Sequence, residues 1–223
     1  MCKGRSKRTV QGAHGGSWSP VTHLREYAAY GLNTAPFLQR FLAFALRPRR
    51  MLEIGCGLGT TSDFVARFAP GGAQVTCLEP SPMLREIFGL RALPHRPTQL
   101  SVNVFSDDDA GAPSACRRAL EARGFDLIAS FEVMEHLPPS ARPVLTRLVA
   151  RALRPGGHLV FSAGRPGQGA GTGHVAGASI YKDEWIRLFA ADGLELAPEL
   201  SSLASRLRRK QGPSGRPTGA PSG

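Results

Sequence analysis

Between residues 36 and 200 the chain alternates short apolar runs with stretches of helical period, and this alternation restricts the fold more than any other feature. The runs "MLEIG" (51–55), "AQVTCLE" (73–79), "TQLSVNVF" (98–105), "FDLIASF" (125–131) and "HLVFSA" (158–163) have strand length, with "LELAPEL" (194–200) as a last strand. Helical patterns fall around and between them: "PFLQRFLAFAL" (36–46), "TTSDFVARFA" (60–69), "SPMLREIFGL" (81–90), "SACRRALEAR" (114–123), "SARPVLTRLVARAL" (140–153) and "KDEWIRLFAAD" (182–192). The third of these opens with a capping Ser81 and a Pro82 at the first helical position. "RPGG" (154–157) reads as a helix-stop turn. Strands alternating with helices imply an α/β fold: a doubly wound, mostly parallel sheet, helices on both faces, right-handed crossovers. Ligands of such sheets bind beyond the carboxyl ends of the strands.

With 223 residues the chain is long enough for one domain with appendages. Residues 1–17 carry no hydrophobic period and read as a disordered basic segment, 18–201 as the domain, and 202–223 as a basic, Gly/Pro/Ser-rich flexible tail. The net charge of +11 belongs mostly to these ends. Nine Lys/Arg and no acid lie in residues 1–16 and 202–223, so the remaining 19 bases face all 17 acids. A dedicated nucleic-acid groove needs its basic residues on the folded body, which leaves solvated arms or weak RNA contacts as the readings of the charge. No apolar run approaches a membrane span of about 20 residues, and no signal-peptide pattern is present. The basic, acid-free start is also compatible with an organelle transit segment. The four cysteines, Cys2, Cys56, Cys77 and Cys116, show no CxxC pairing, so the expectation is no disulfide framework and a reducing, cytoplasmic compartment.

The first strand-to-helix turn reads "LEIGCGLGT", with Gly55, Gly57 and Gly59 spaced G-x-G-x-G. Glycines there permit a tight turn and let backbone N–H groups approach a ligand at a helix N-terminus. The dinucleotide fingerprint asks for Gly or Ala three residues after the second Gly, where this chain has Thr60. Glu53 places a carboxylate inside the strand end, where a buried charge needs a cationic or hydrogen-bonding partner. Glu79 ends the second strand, placed to accept the two hydroxyls of a ribose. After the fourth strand comes "FEVMEHL", in which Glu132, Glu135 and His136 stand at i, i+3 and i+4, one face of a helix.

"MLEIGCGLGT", "VTCLEPSPML", "FDLIASFEVMEHL" and "LRPGGHLVFS" in this order resemble the successive motifs of class I S-adenosylmethionine-dependent methyltransferases, with a Rossmann-like fold, over about residues 36–200. The resemblance implies that Glu53 lies near the methionine ammonium, that Gly55, Gly57 and Gly59 line the cofactor, and that Glu79 holds the ribose. It also puts an acid of "SDDDA", Asp107, beside the adenine amine, with a solvated acidic loop as the alternative. The fourth strand's end would face the reactive methyl. Glu132, Glu135 and His136 then have three readings: a general base from His136 or a Glu, a structural network at a helix start, or ligands of Mg²⁺ or another divalent metal. The last pattern is similar to that of quinone-pathway O-methyltransferases and small-RNA 2′-O-methyltransferases. His174, in the glycine-rich "GQGAGTGHVAG", is a candidate fourth ligand or substrate contact.

The family sheet usually ends with an antiparallel strand inserted between the fifth and sixth. No seventh apolar run follows "LELAPEL", so that strand is expected to be absent, with reduced stability. The expected activity is methyl transfer to a small-molecule acceptor, at oxygen. The alternatives are an RNA methyltransferase holding its substrate with the basic ends, and a non-catalytic or truncated cofactor-binding protein. Oligomeric state is not legible.

Overall fold

The structure, a computed structural model, describes residues 35–79, 98–100, 124–163 and 180–197, together with residues 81, 84, 86, 89, 120 and 121. Helix α1 (Ala35–Arg40) runs on as a π-helical segment, Phe41–Leu46, and ends at Arg47, which takes a left-handed conformation (φ 48°) just before Pro48. Strand β1 (Arg50–Ile54) follows, then α2 (Thr60–Phe68), β2 (Gln74–Leu78), β3 (Thr98–Leu100) and β4 (Phe125–Ser130). After two 3₁₀ turns come α3 (Arg142–Ala152), β5 (Leu153–Phe161) and α4 (Lys182–Ala191). The five strands form one sheet in the order β3-β2-β1-β4-β5, every pair parallel.

Period-two alternation in β1 and β4 divides the core between the two faces. Leu52, Ile54 and Ile128 pack with Leu145 and Leu148 of α3 and with Trp185 and Phe189 of α4. Met51, Leu127 and Ala129, with Val75 of β2, pack on the other face against Leu42, Val65 and Ala66. Both faces of the central strands are therefore dry, as a parallel sheet between helical layers requires. Each fully buried Leu or Ile contributes about 1.5–3 kcal/mol relative to exposure.

Most of the expected elements are present where they can be observed. Within "SPMLREIFGL", Leu84, Glu86 and Gly89 are helical, and the Leu84 N–H donates to the Ser81 hydroxyl at 3.4 Å, the expected cap. Two expectations change. "LELAPEL" is not a strand over residues 194–197, which are irregular; 198–200 and all of 201–223 lie outside the described residues, as does the place of any antiparallel strand. "RPGG" does stop α3, but it is also part of β5: Leu153 pairs with Phe125 and His158 with Leu127, so residues 154–157 bulge out of the ladder. Gly157 is obligatory in that bulge, because a Cβ there would sit 2.9 Å from the Phe125 carbonyl oxygen.

The amino end of the sheet is fastened by Asp126. Its Oδ2 accepts the N–H groups of Arg49 and Arg50, each at 2.7 Å, and its Oδ1 accepts Arg154 Nε. One carboxylate thus ties β4 to the start of β1 and to the β5 bulge. Burial alone would raise this carboxyl. The Arg50 N–H, the Arg154 guanidinium and the Arg49 N–H outweigh it and hold Asp126 below the usual aspartate range. A depressed carboxyl contributes stability that is present above the ordinary aspartate pKa and lost as pH falls through the lowered one. Asp126→Asn should therefore lower stability by about 1–2 kcal/mol at pH 7 and flatten the acid limb of a urea-melt pH series. Equal acid limbs for the two proteins would show that the clamp contributes nothing.

Candidate active site

The carboxyl ends of β1, β2 and β4 bring the motifs together. Beyond β1, Gly55, Gly57 and Gly59 all have positive φ (71°, 52° and 69°), and Gly59 precedes the first turn of α2. The loop is fastened to β2: the N–H groups of Gly55 and Cys56 both donate to the Leu78 carbonyl, at 2.8 and 3.2 Å. Gly57 N–H donates to Glu79 Oε2 at 2.8 Å, and Ser81 N–H to Oε1 at 2.8 Å. Glu79 is buried and rigidly oriented by these bonds.

Glu53, one residue before the strand end, is buried and accepts a hydrogen bond from the Ser62 hydroxyl in the first turn of α2. Burial, partly offset by the hydroxyl and amide of Ser62 and reinforced by the neighbouring Glu79 charge, pushes its pKa up to about 7. A carboxylate so placed gains most from a cation.

Gly55 joins this loop to the end of β4. A Cβ on Gly55 would fall 2.2 Å from Val133 Cγ2, so Val133 lies directly against the glycine loop. The α-helical face expected for Glu132, Glu135 and His136 does not form there. Glu132 takes a left-handed conformation (φ 54°), and only a 3₁₀ turn, Met134–His136, follows. The Ser162 hydroxyl explains how Glu132 tolerates this. It accepts the Glu132 N–H at 2.8 Å and donates to Glu132 Oε1 at 2.9 Å, locking an exposed carboxylate at the rim. A left-handed non-glycine residue costs about 1–3 kcal/mol and is retained where surroundings over-determine it, commonly at functional sites. Glu135 points inward and is buried, while His136 is half-buried.

The metal reading is not met by this arrangement. Glu132 and Glu135 do not share a face, and among the described residues no group of three His, Cys, Asp or Glu is placed to hold an ion. Asp107 and His174 lie outside the described residues.

Sequence reasoning missed four participants. Ser62 and Ser162 are ordinary hydroxyls whose partners are distant along the chain. Val133 is a generic apolar residue. The fourth is a covalent link: Cys56 and Cys77 are paired as a disulfide, with Cα atoms 5.8 Å apart, against the expectation drawn from cysteine spacing. The signal was present only as one cysteine in the loop and one in the adjacent strand.

A glycine loop held to β2, a buried carboxylate on β1 and a buried acid at the tip of β2 converge at the carboxyl ends of a parallel, Rossmann-like sheet. A family model described as "Methyltransferase domain" matches residues 23–200, and the chain belongs to that family. Among curated relatives, the chain is 35% identical over 114 residues to a ubiquinone biosynthesis O-methyltransferase of Xanthomonas oryzae, covering 51% of this chain and 42% of that protein. It is 33% identical over 121 residues to one from Alkalilimnicola ehrlichii, covering 52% and 42%. The matches span less than half the length of these relatives. The fold is similar to that of an O-methyltransferase family protein from Burkholderia thailandensis (TM-score 0.57, 15% identity, 78% of this chain and 55% of that one). It is also similar to that of magnesium protoporphyrin IX methyltransferase from Synechocystis with bound S-adenosylmethionine (TM-score 0.54, 16% identity, 82% and 76%). The chain is thus a methyltransferase-family domain with the fold of these proteins. Among the described residues, no helix is long and apolar enough to cross a membrane.

Proposed function

We propose that this domain transfers the methyl group of S-adenosylmethionine to a hydroxyl oxygen of a small-molecule acceptor. The contact of Val133 with Gly55 carries the reading, because it makes the donor loop and the β4 end one rim. The sulfonium supplies a methyl group already activated for transfer. The protein's part is to place it in line with the acceptor and to receive a proton. Glu53 binds the donor's ammonium, Gly55, Gly57 and Gly59 allow the close approach of the backbone, and Glu79 holds the ribose. Asp107 is proposed at the adenine edge.

On the acceptor side, Glu132 or His136 takes the hydroxyl proton as the methyl group arrives, a contribution of about 10²–10⁴-fold. Glu132 has the better position, being exposed at the rim and fixed by Ser162. His174 is a proposed acceptor contact. No step is assigned to a metal, since the described donors do not converge. The similarity to ubiquinone biosynthesis O-methyltransferases supports oxygen as the methylated atom and a small acceptor. The cytoplasm is the proposed compartment.

Calorimetry with S-adenosylhomocysteine tests the donor half; no heat of binding would sink the proposal. Transfer from labelled S-adenosylmethionine to catechol and 3,4-dihydroxybenzoate probes the acceptor half. Glu132→Gln should lower kcat at least about 100-fold and leave the affinity for S-adenosylhomocysteine within about twofold. Unchanged kcat would remove Glu132 as the base.

A further inference from the structure

We propose that Cys56 and Cys77 are a thiol–disulfide site that controls how tightly the glycine loop binds its nucleoside ligand. The proposal rests on that loop being the donor site. Cys56 sits between Gly55 and Gly57, and Cys77 lies on β2 immediately before Leu78, whose carbonyl accepts the Gly55 and Cys56 N–H groups. In the β1–β2 ladder Cys77 stands opposite Glu53, and Glu79, which binds the Gly57 N–H, is two residues further on. The covalent link therefore joins the two elements that hold the ligand's ammonium and ribose. A Cα separation of 5.8 Å suits a disulfide without backbone movement.

Reduction removes this covalent constraint between the loop and β2. Two bonded sulfurs are about 2 Å apart, whereas two thiol sulfurs in contact need roughly 3.5–4 Å. Cys77 is fully buried on a strand paired on both sides, so its backbone is held in place. The displacement falls on the loop, where Cys56 is flanked by two glycines. Moving Cys56 off β2 drags Gly57 from Glu79 and loosens the pocket floor. The oxidised loop is pre-organised for its ligand, and pre-organisation raises affinity by removing an ordering cost.

Exchange needs only a small disulfide oxidant of the glutathione class. Cys56, in the loop and with 6% exposure against 0% for Cys77, is the more accessible residue of the pair and the one proposed to meet the oxidant first. Its thiolate attacks the small disulfide, forming a mixed disulfide and releasing one thiol. The Cys77 thiolate then attacks Cys56 Sγ and releases the second. The dithiol has lost two electrons and two protons, and the small disulfide has become two thiols. Reduction by two thiols reverses each step.

The test uses the full chain with Cys2→Ser and Cys116→Ser, so that only this pair responds. Protein equilibrated with oxidised glutathione or with a phosphine reductant is titrated with S-adenosylhomocysteine, and alkylation with mass mapping counts the thiols. The oxidised form should bind about three- to tenfold more tightly, and the difference should vanish in Cys56→Ser and in Cys77→Ser, each first shown to melt cooperatively. Equal affinities with the Cys56–Cys77 peptide present would overturn the switch while leaving the donor site intact. Failure of the pair to form under oxidised glutathione would also overturn it. Binding by neither form would remove the donor-site reading and the switch together.

Discussion

Gly55→Ala should abolish measurable binding of S-adenosylhomocysteine and lower stability by about 2–4 kcal/mol. Two separable costs add at this position. An alanine held at φ 71° loses about 1 kcal/mol or more relative to glycine. The new Cβ would also stand 2.2 Å from Val133 Cγ2, a distance no packed pair sustains. Relief requires the loop to lift from β2 or residues 131–136 to move off the loop, typically costing about 1–3 kcal/mol. Either motion disturbs the rim proposed to bring donor and acceptor together. The double variant Gly55→Ala, Val133→Ala separates the two costs, since Val133→Ala deletes Cγ2. Urea melts should recover the steric part and leave the backbone part, so the two changes should be strongly non-additive. Additive losses would mean that the loop and the β4 end do not touch in solution.

The second large effect comes from Glu53. With its pKa pushed up to about 7 from 4.5, the native state keeps a proton over a range in which the unfolded chain has released it. Fewer protons on the unfolded state means that stability falls as pH rises through this window. The ligand-free protein should lose on the order of 3 kcal/mol between about pH 4.5 and 7 from this group and nothing further from it above. Glu53→Gln keeps an oxygen for the Ser62 hydroxyl and carries no charge. It should remove that slope and make the ligand-free protein more stable than wild type at pH 7.5. Its affinity for S-adenosylhomocysteine should fall by roughly 10- to 100-fold, the value of a lost charge-assisted bond. Urea melts at pH 5, 6, 7 and 8 measure the first effect and calorimetry the second. Parallel stability curves for the two proteins would show that Glu53 is not buried as a carboxyl. A ligand affinity unchanged by the substitution would take Glu53 out of the ammonium site.

Both positions stand out in the sequence, because each departs from what its local structure wants. A carboxylate in the apolar run "MLEIG" and three glycines in five residues contradict strand and helix preferences, so a site is the economical reading. Glu79 was legible by its distance along the chain. The α/β order followed from the periods of the apolar runs, which are local properties. "FEVMEHL" was legible in place but not in shape. Helical spacing put Glu132, Glu135 and His136 on one face, whereas Ser162, 30 residues away, holds Glu132 in a left-handed conformation that ends that face. "LELAPEL" failed differently: residues 194–197 follow α4 as irregular chain, although their apolar spacing suits a strand.

The sequence by itself determined the class of fold, the glycine loop and the two carboxylates, since periodicity and misplaced polar residues are written locally. Tertiary structure decided the rest. Whether Glu53 finds Ser62, whether Val133 closes on Gly55, whether Ser162 catches Glu132 and whether Cys56 meets Cys77 all depend on which strand ends become neighbours. That neighbourhood is set by the order of strands in the sheet, and one-dimensional spacing does not encode it.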